Sequence, residues 1–182
     1  SFPVGVVTLA EGFDDRAAGW YDRMVEHVRG LLKANDAAAR FGPLFKAGRG
    51  QLIGNSGTVT SLAGVHLRLE RYLRSAVDGV WLSREGAEEA RQRLYDATPE
   101  QRAAEPCIGP ERADLVLAGC AILDAVWSVW PATRLRVGDR GLREGILLSM
   151  IHGVGGGGGS KHKRRRRGRS GKAPASSEGA PA

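Results

Sequence analysis

The residues best suited to chemistry form a glycine-containing turn. Leu52 and Ile53 are strand-forming residues that lead into Gly-Asn-Ser-Gly-Thr at residues 54–58. Glycines let the backbone turn sharply and approach a ligand closely. Such a turn can aim successive N–H groups at one point, and a following helix adds its positive end. The pattern predicts a site for an anion, most naturally a phosphate, although similar turns also serve as plain connections.

Hydrophobic periodicity predicts the elements that position this turn. Strands are predicted at residues 2–9, at residues 51–53 and around Leu135 and Val137. One apolar stripe predicts a helix that runs to about residue 35, and another predicts a helix after the turn. The two stripes consist of Trp20, Met24, Val28 and Leu31, and of Leu62, Val65, Leu69 and Tyr72.

Later helices are marked by capping residues. Ser83 is predicted to cap a charged helix, and Thr98 begins another with Gln101 three residues later. Asp139 is predicted to cap the last helix. Two further apolar stripes are Leu115, Ile122, Val126 and Trp130, and Leu142, Ile146, Leu147 and Met150. The order strand, helix, strand, several helices, strand, helix predicts an α/β layered domain with parallel strand pairing.

Composition limits the classes of protein that the chain can represent. Its 182 residues with 42% hydrophobic content can form one ordinary domain with a core. No apolar run approaches the length of a membrane span, and residues 1–7 do not resemble a signal peptide. Cys107 and Cys120 form neither a disulfide framework nor a metal cluster, which favours a reducing cytoplasm. Aromatic residues Trp127 and Trp130 are interpreted as packing residues rather than a stacking platform.

The basic charge is confined to the C-terminal tail. Residues 161–182 contain eight basic residues and one acid, Glu178, which account for the whole net charge of +7. The basic residues are Lys161, Lys163, Arg164, Arg165, Arg166, Arg167, Arg169 and Lys172. Residues 153–182 are therefore predicted to be a Gly-rich linker and a disordered basic tail. The tail has either no specific role or a salt-sensitive role in contacting polyanions, including non-specific nucleic acid.

Four ordered motifs resemble those of a known family. They are residues 54–60 (GNSGTVT), 77–79 (VDG), 109–115 with Gly119 (GPERADL), and 139–145 (DRGLREG). Their order and spacing resemble the exopolyphosphatase and guanosine pentaphosphate phosphohydrolase family (Ppx/GppA). One departure is Asp78, where many relatives carry His. The segment at residues 3–9 is also similar to a family segment.

The resemblance implies a fold and a function. Residues 1–152 would be a partial C-terminal lobe of a Ppx/GppA-type phosphatase, an incomplete second lobe of the actin-like, ribonuclease-H-like (ASKHA) phosphotransferase fold with added helices. Such enzymes release terminal phosphate from polyphosphate or guanosine pentaphosphate with Mg²⁺, and they often dimerise. The residues implied to bind substrate phosphate are Gly54, Asn55, Ser56, Gly57, Thr58 and Arg112.

The family's metal-binding Asp-x-Gly-Gly-Gly-Ser loop and its base-bearing segment are not found in this sequence. We therefore expect the general base and most Mg²⁺ ligands upstream of Ser1, and no turnover by the chain alone. Exposed strand edges are expected to make it marginally stable or aggregation-prone. Two alternatives remain: a non-enzymatic polyanion- or RNA-binding module acting through its basic tail, and a sugar or acetate kinase of the same fold superclass.

Overall fold

The computed structural model describes residues 2–13 and 17–152, and the predicted linker and tail at 153–182 lie outside these residues. The helices are α1 Val6–Gly12, α2 Trp20–Lys33, α3 Asp36–Lys46, α4 Gly57–His66, α5 Arg74–Val77, α6 Arg84–Asp96, α7 Pro99–Ala104, α8 Val116–Val129 and α9 Leu142–Ile151. The strands are β1 Leu52–Gly54, β2 Trp81–Ser83 and β3 Arg134–Val137. No helix in the described part of the chain is long and apolar enough to cross a membrane.

The three strands form one mixed sheet in the order β1-β3-β2. β1 runs parallel to β3, with Leu52 opposite Leu135 and Gly54 opposite Val137. The predicted parallel pairing is therefore confirmed for β1 and β3, whereas β2 runs antiparallel to β3. The sequence analysis did not predict β2, because this short strand depends on pairing with β3, which is distant in the sequence.

The core lies where α8 packs against α2, α1, α4 and α6. Trp127 of α8 is 1% exposed and Met24 of α2 is fully buried. Trp130, at the C-terminal end of α8, is also buried, which agrees with the interpretation of both tryptophans as packing residues. Leu135 and Val137 of β3 bury the inner face of the sheet against this core.

The predicted strand at residues 2–9 is wrong, because Val6–Gly12 forms α1. The Thr8 hydroxyl accepts a hydrogen bond from the Gly5 N–H at 3.2 Å and donates one to the Gly5 carbonyl at 3.1 Å. These local bonds fix the first helical turn, and Leu9 is buried in the core. The β-branched residues Val6, Val7 and Thr8 suggested a strand, but a strand also needs a pairing partner.

Two predicted helices end earlier than expected. Helix α2 ends at Lys33, and it buries Leu32 rather than the predicted Leu31. Helix α4 ends at His66, so Leu69 and Tyr72 lie beyond it in the chain. Arg68, with a φ of 52°, helps to turn the chain away at that point.

The predicted caps of α6 and α7 are confirmed. The Ser83 hydroxyl accepts a hydrogen bond from the Gly86 N–H at 3.0 Å. Thr98 and Gln101 form a reciprocal capping box, with N–H to oxygen distances of 2.8 and 3.2 Å. These caps satisfy backbone N–H groups that have no partner within the helix.

The last helix is correctly predicted, but its cap and its environment are not. Gly141 is the N-cap residue of α9, and its N–H donates to Glu144 at 2.9 Å, whereas Asp139 lies outside the helix. None of the α9 residues is buried. The four predicted stripe residues are exposed, at 78% for Leu142, 49% for Ile146, 57% for Leu147 and 74% for Met150.

Candidate phosphate-binding site

The predicted turn connects the carboxyl end of β1 to the start of α4. Gly54 is the last residue of β1, and its carbonyl accepts a hydrogen bond from the Gly138 N–H at 2.9 Å. A Cβ atom at residue 54 would lie 2.8 Å from both γ-methyl groups of Val59. Glycine at this position therefore lets the strand end pass close to the first turn of α4.

The first turn of α4 presents backbone donors. Ser56 is the N-cap residue, and its hydroxyl accepts a hydrogen bond from the Val59 N–H at 3.3 Å. Helix geometry leaves the N–H groups of Gly57 and Thr58 without a carbonyl partner one turn earlier. These donors and the positive end of the helix dipole favour an anion at this position. Asn55, between the strand and the cap, is exposed.

Arg112 lies directly at this helix terminus. A Cβ atom at Gly57 would lie 3.3 Å from Nη1 of Arg112, so the guanidinium lies next to Gly57. The same Nη1 lies 3.5 Å from the hydroxyl of Ser61, one turn further along α4. The structure thus brings together two parts of the sequence that are more than fifty residues apart, the turn at 54–58 and Arg112.

A buried arginine supports the segment that carries Arg112. Arg102 of α7 is 3% exposed, and its guanidinium donates to the carbonyls of Leu94 at 3.3 Å and Ala97 at 2.5 Å. Its Nε donates to the carbonyl of Ala113 at 3.2 Å. The residue that follows Arg112 is therefore tied to the C-terminal end of α6. Sequence reasoning missed this role of Arg102, which looked like a surface residue of a short, polar helix.

A cavity of about 520 Å³ opens beside Arg112 and Gly57. Besides these two residues, it is lined by Thr60, Tyr72, Arg74, Pro106, Cys107, Ile108, Gly109, Asp139 and Arg143. Three of the lining residues are arginines and one is acidic, so the lining carries a positive charge. A smaller cavity of about 270 Å³ is also lined by Arg112 and by residues 56–58 of the turn, together with Val6, Ser61, Leu115 and Val116.

The acidic residue of the larger cavity is held by an arginine. Asp139 accepts a hydrogen bond from Nε of Arg74 at 2.6 Å, and its N–H donates to the carboxylate of Asp78 at 2.9 Å. Asp139 is thus a link between β3 and α5 rather than the helix cap that the sequence predicted. Tyr72 and Arg74 were also missed, because nothing in the local sequence connects them with the turn.

Burial and hydrogen bonding shift the pKa values of three groups in and beside this site. The hydrogen bond from Arg74 to Asp139 raises the pKa of the Arg74 guanidinium. Burial raises the pKa of the Tyr72 hydroxyl, which therefore remains neutral. The Gly141 N–H lowers the pKa of Glu144, which remains an anion at the start of α9.

The residues of this site do not fit a Mg²⁺ ion. Among residues 2–13 and 17–152, no three His, Cys, Asp or Glu side chains cluster as metal ligands. Asp139, the acidic residue of the larger cavity, already binds Arg74. Proteins usually bind Mg²⁺ through one or two carboxylates together with waters and substrate phosphates, and the one carboxylate that lines this cavity is occupied by Arg74.

Neither cysteine has the properties of a nucleophile. Both thiols are free and buried. Burial raises the pKa of Cys120 to about 12, and it also raises the pKa of Cys107. Because the thiolate is the reactive form, both groups are inert near neutral pH.

The sequence of the chain matches a family of known proteins. The model of the Ppx/GppA phosphatase family matches residues 1–153. No curated protein sequence matches the chain significantly.

Solved structures share the fold. A Ppx/GppA family member from Aquifex aeolicus has a TM-score of 0.67 at 24% identity, over 85% of this chain and 48% of that one. An exopolyphosphatase-like protein has a TM-score of 0.70 at 22% identity, over 84% and 50% of the two chains. An exopolyphosphatase from Cytophaga hutchinsonii has a TM-score of 0.57 at 24% identity, over 73% and 42%. The chain thus has the actin-like (ASKHA) fold that the sequence analysis expected, and it spans about half the length of these structures.

Proposed function

The chain belongs to the Ppx/GppA phosphatase family, and from this premise we propose that it is part of a phosphohydrolase, to which it supplies the second-lobe phosphate-binding loop. Its substrate would carry a terminal phosphoanhydride, as inorganic polyphosphate and guanosine pentaphosphate do. One observation carries this proposal: the guanidinium of Arg112 lies next to Gly57 at the N-terminus of α4. A fork of N–H donors is thus adjacent to the open end of a helix.

The residues of this site bind and orient a phosphate group in this proposal. The N–H groups of Gly57 and Thr58 donate to its oxygens, and Arg112 binds it through its charged guanidinium fork. The same donors stabilise negative charge that develops on the phosphoryl oxygens as water attacks. The cavity beside them, lined by Arg74 and Arg143, has room for further phosphate groups of a chain.

Two parts of the reaction are assigned to residues outside this site. The general base that activates water is expected upstream of Ser1, and so are most ligands of any Mg²⁺ ion. We therefore propose that the chain has no turnover by itself. Mg²⁺, when bound in the complete enzyme, would offset phosphate charge, while Arg112 and the helix terminus hold the phosphate in place.

Inorganic phosphate release tests this proposal. The half of the A. aeolicus relative that this chain does not cover is fused upstream of residue 1, and release from polyphosphate and guanosine pentaphosphate is measured with Mg²⁺. We expect activity in the fusion, none in the chain alone, and a loss of about tenfold or more in kcat/KM for Arg112→Gln. Arg71→Gln, which removes another exposed arginine, is the matched control and keeps full activity.

Three results would contradict the proposal. Turnover by the chain alone would place the base within it. Full activity of the Arg112→Gln fusion would remove Arg112 from the site. Inactivity of a fusion that folds and binds polyphosphate only through residues 161–182 would favour the tail-driven binding module. Deleting residues 161–182 identifies that last case, because such binding disappears with the tail and has a steep salt dependence.

A further inference from the structure

The outer face of the sheet is open to solvent. The strand register places Ile53 of β1, Arg136 of β3 and Trp81 of β2 in one row across this face. Because side chains alternate along a strand, Arg134 projects from the same face as Arg136. Ile53 is 70% exposed and Trp81 is 38% exposed, whereas Leu135, on the opposite face, is buried. We call Trp81, Arg134 and Arg136 the arginine–tryptophan face.

Trp81 holds both arginines in place. The guanidinium carbon of Arg134 lies 4.2 Å from the centre of the Trp81 ring, and that of Arg136 lies 5.1 Å from it. Gly79 makes room for the second arginine, since a Cβ atom there would lie 3.2 Å from Nη2 of Arg136. A guanidinium that rests on an aromatic ring loses less conformational entropy when it binds a ligand. Its N–H groups can still donate hydrogen bonds.

The charges of this face are not neutralised by the rest of the described chain. Arg74, Arg84 and Arg93 each form an ion pair with a carboxylate. Among the described residues, neither Arg134 nor Arg136 has an acidic partner within ion-pair distance. An apolar partner would have to bury two unpaired charges here, which is costly. The charge therefore favours an anionic occupant.

A groove extends this face away from the phosphate-binding site. Its volume is about 420 Å³, and Lys46, Trp81, Gln51 and Arg134 contribute side chains to its lining, which among the described residues contains no Asp or Glu. The groove lies where β1 and β3 begin, whereas the turn at 54–58 follows the end of β1. Gln51, in the groove, lies three residues or about 10 Å before Gly54 along β1, whereas Trp81 and Arg136 lie level with Ile53, next to Gly54. The groove and the turn are therefore distinct places on the molecule.

We propose that the arginine–tryptophan face, with Lys46 at its groove, binds an oligophosphate chain. Each guanidinium fork can donate to phosphate oxygens, and Lys46 at the groove adds a third charge. Arg134 already covers the Trp81 ring at 4.2 Å, so the ring does not offer a free platform for a nucleobase. The arginine–tryptophan face therefore recognises the charge of the phosphate groups and not a base. It does not depend on the hydrolysis proposed above.

Tryptophan fluorescence of the full chain tests this site, because Trp81 is the exposed tryptophan, whereas Trp20 is half-buried and Trp127 and Trp130 are buried. Tripolyphosphate is titrated at low salt without divalent metal, so that no hydrolysis occurs. We expect a saturable change in emission that is absent in Trp81→Phe. The double variant Arg134→Gln/Arg136→Gln should bind about tenfold or more weakly, because it loses two charge-assisted contacts. All variants retain the basic tail, so its contribution is common to them.

Two controls separate this site from other positive charges. The double variant Arg29→Gln/Arg40→Gln also removes two positive charges, but far from this face in the sequence. Arg40, like Arg134, lies over an aromatic ring, that of Phe41. This variant should leave the titration unchanged. Arg71→Gln, at an exposed arginine that belongs to neither site, should also leave it unchanged. The proposal is overturned if no saturable change occurs in a folded protein, or if the Arg134/Arg136 double variant responds like the wild type. Tighter binding of an oligouridylate of equal charge would overturn the choice of an oligophosphate.

Discussion

The side chain of Thr58, at the start of α4, rests on the backbone of Gly119 in the first turn of α8. A Cβ atom at residue 119 would lie 2.1 Å from Oγ1, 2.7 Å from Cγ2 and 2.8 Å from Cβ of Thr58. Rotating the threonine side chain cannot relieve the last of these contacts. Gly119 therefore fixes how closely the phosphate-binding turn approaches the core.

Gly119→Ala should move the start of α4 and destabilise the protein. We expect a loss of about 1–3 kcal/mol in the free energy of unfolding, as for other overpacked cores, measured by urea denaturation. Gly30→Ala is the matched control, because Gly30 lies inside α2 with no atom within 4 Å of its added Cβ. This control should stabilise the protein by about 0.5–1 kcal/mol. Equal effects of the two substitutions would show that Gly119 is not constrained by Thr58.

Arg102 should be required for stability although it lies on a short helix. Replacing it by Met would leave the carbonyls of Leu94, Ala97 and Ala113 without their donor. We expect Arg102→Met to lower the free energy of unfolding by about 2–5 kcal/mol, and exposed Arg71→Met to change it by less than about 0.5 kcal/mol. Chemical denaturation measures both. A small effect at residue 102 would mean that water replaces the guanidinium.

Asp124 should make stability fall as pH rises. Burial raises the pKa of this carboxyl, which accepts a hydrogen bond from the Tyr21 hydroxyl at 2.7 Å and lies 3.5 Å from Nε of Arg91. The folded state then holds the proton more tightly than the unfolded state. The free energy of unfolding therefore declines as pH rises from the unfolded carboxyl's pKa of about 4 through the higher folded value.

Asp124→Asn removes this decline. The stability of the wild type relative to the Asn variant should decrease from pH 4 upward and then become constant, as measured by urea unfolding at a series of pH values. If the wild type instead gains stability relative to the variant over this range, Tyr21 and Arg91 stabilise the anion more than burial disfavours it.

The apolar surface of α9 should promote association of the isolated chain. Leu147 and Met150 are exposed, so Leu147→Gln/Met150→Gln should reduce light scattering and leave the melting temperature within a few degrees of the wild-type value. Leu94→Gln, at a residue 1% exposed, should abolish the cooperative melt in circular dichroism. Unchanged scattering in the α9 variant would show that this face does not drive association.

Local chemistry explains which parts of the fold the sequence predicts. The caps at Ser83 and Thr98 were predictable because the partner groups lie within three residues. The segment at residues 2–9 was mispredicted because its β-branched residues favour a strand, while the local bonds between Thr8 and Gly5 start a helix. The short strand β2 depends on pairing with β3, which is distant in sequence.

The candidate site shows the same division. The turn at 54–58 was predictable from its local sequence, which contains two glycines and a serine. Arg112 was predicted only because it lies in a motif that resembles the family's. The hydrogen bond between Arg74 and Asp139 joins residues 65 positions apart, so no local pattern indicated it. The role of Arg102 is equally non-local, because its bonds reach carbonyls on both sides of α7.

The most direct test of the phosphate-binding site is the amide NMR spectrum of the full chain during a titration with tripolyphosphate. The account predicts saturable downfield shifts of the Gly57 and Thr58 amide protons. The dissociation constant obtained from these shifts should rise about tenfold or more in Arg112→Gln and change little in Arg71→Gln. If the Gly57 and Thr58 amides do not move while resonances of residues 161–182 do, the phosphate is bound by the tail, and the proposed site is wrong.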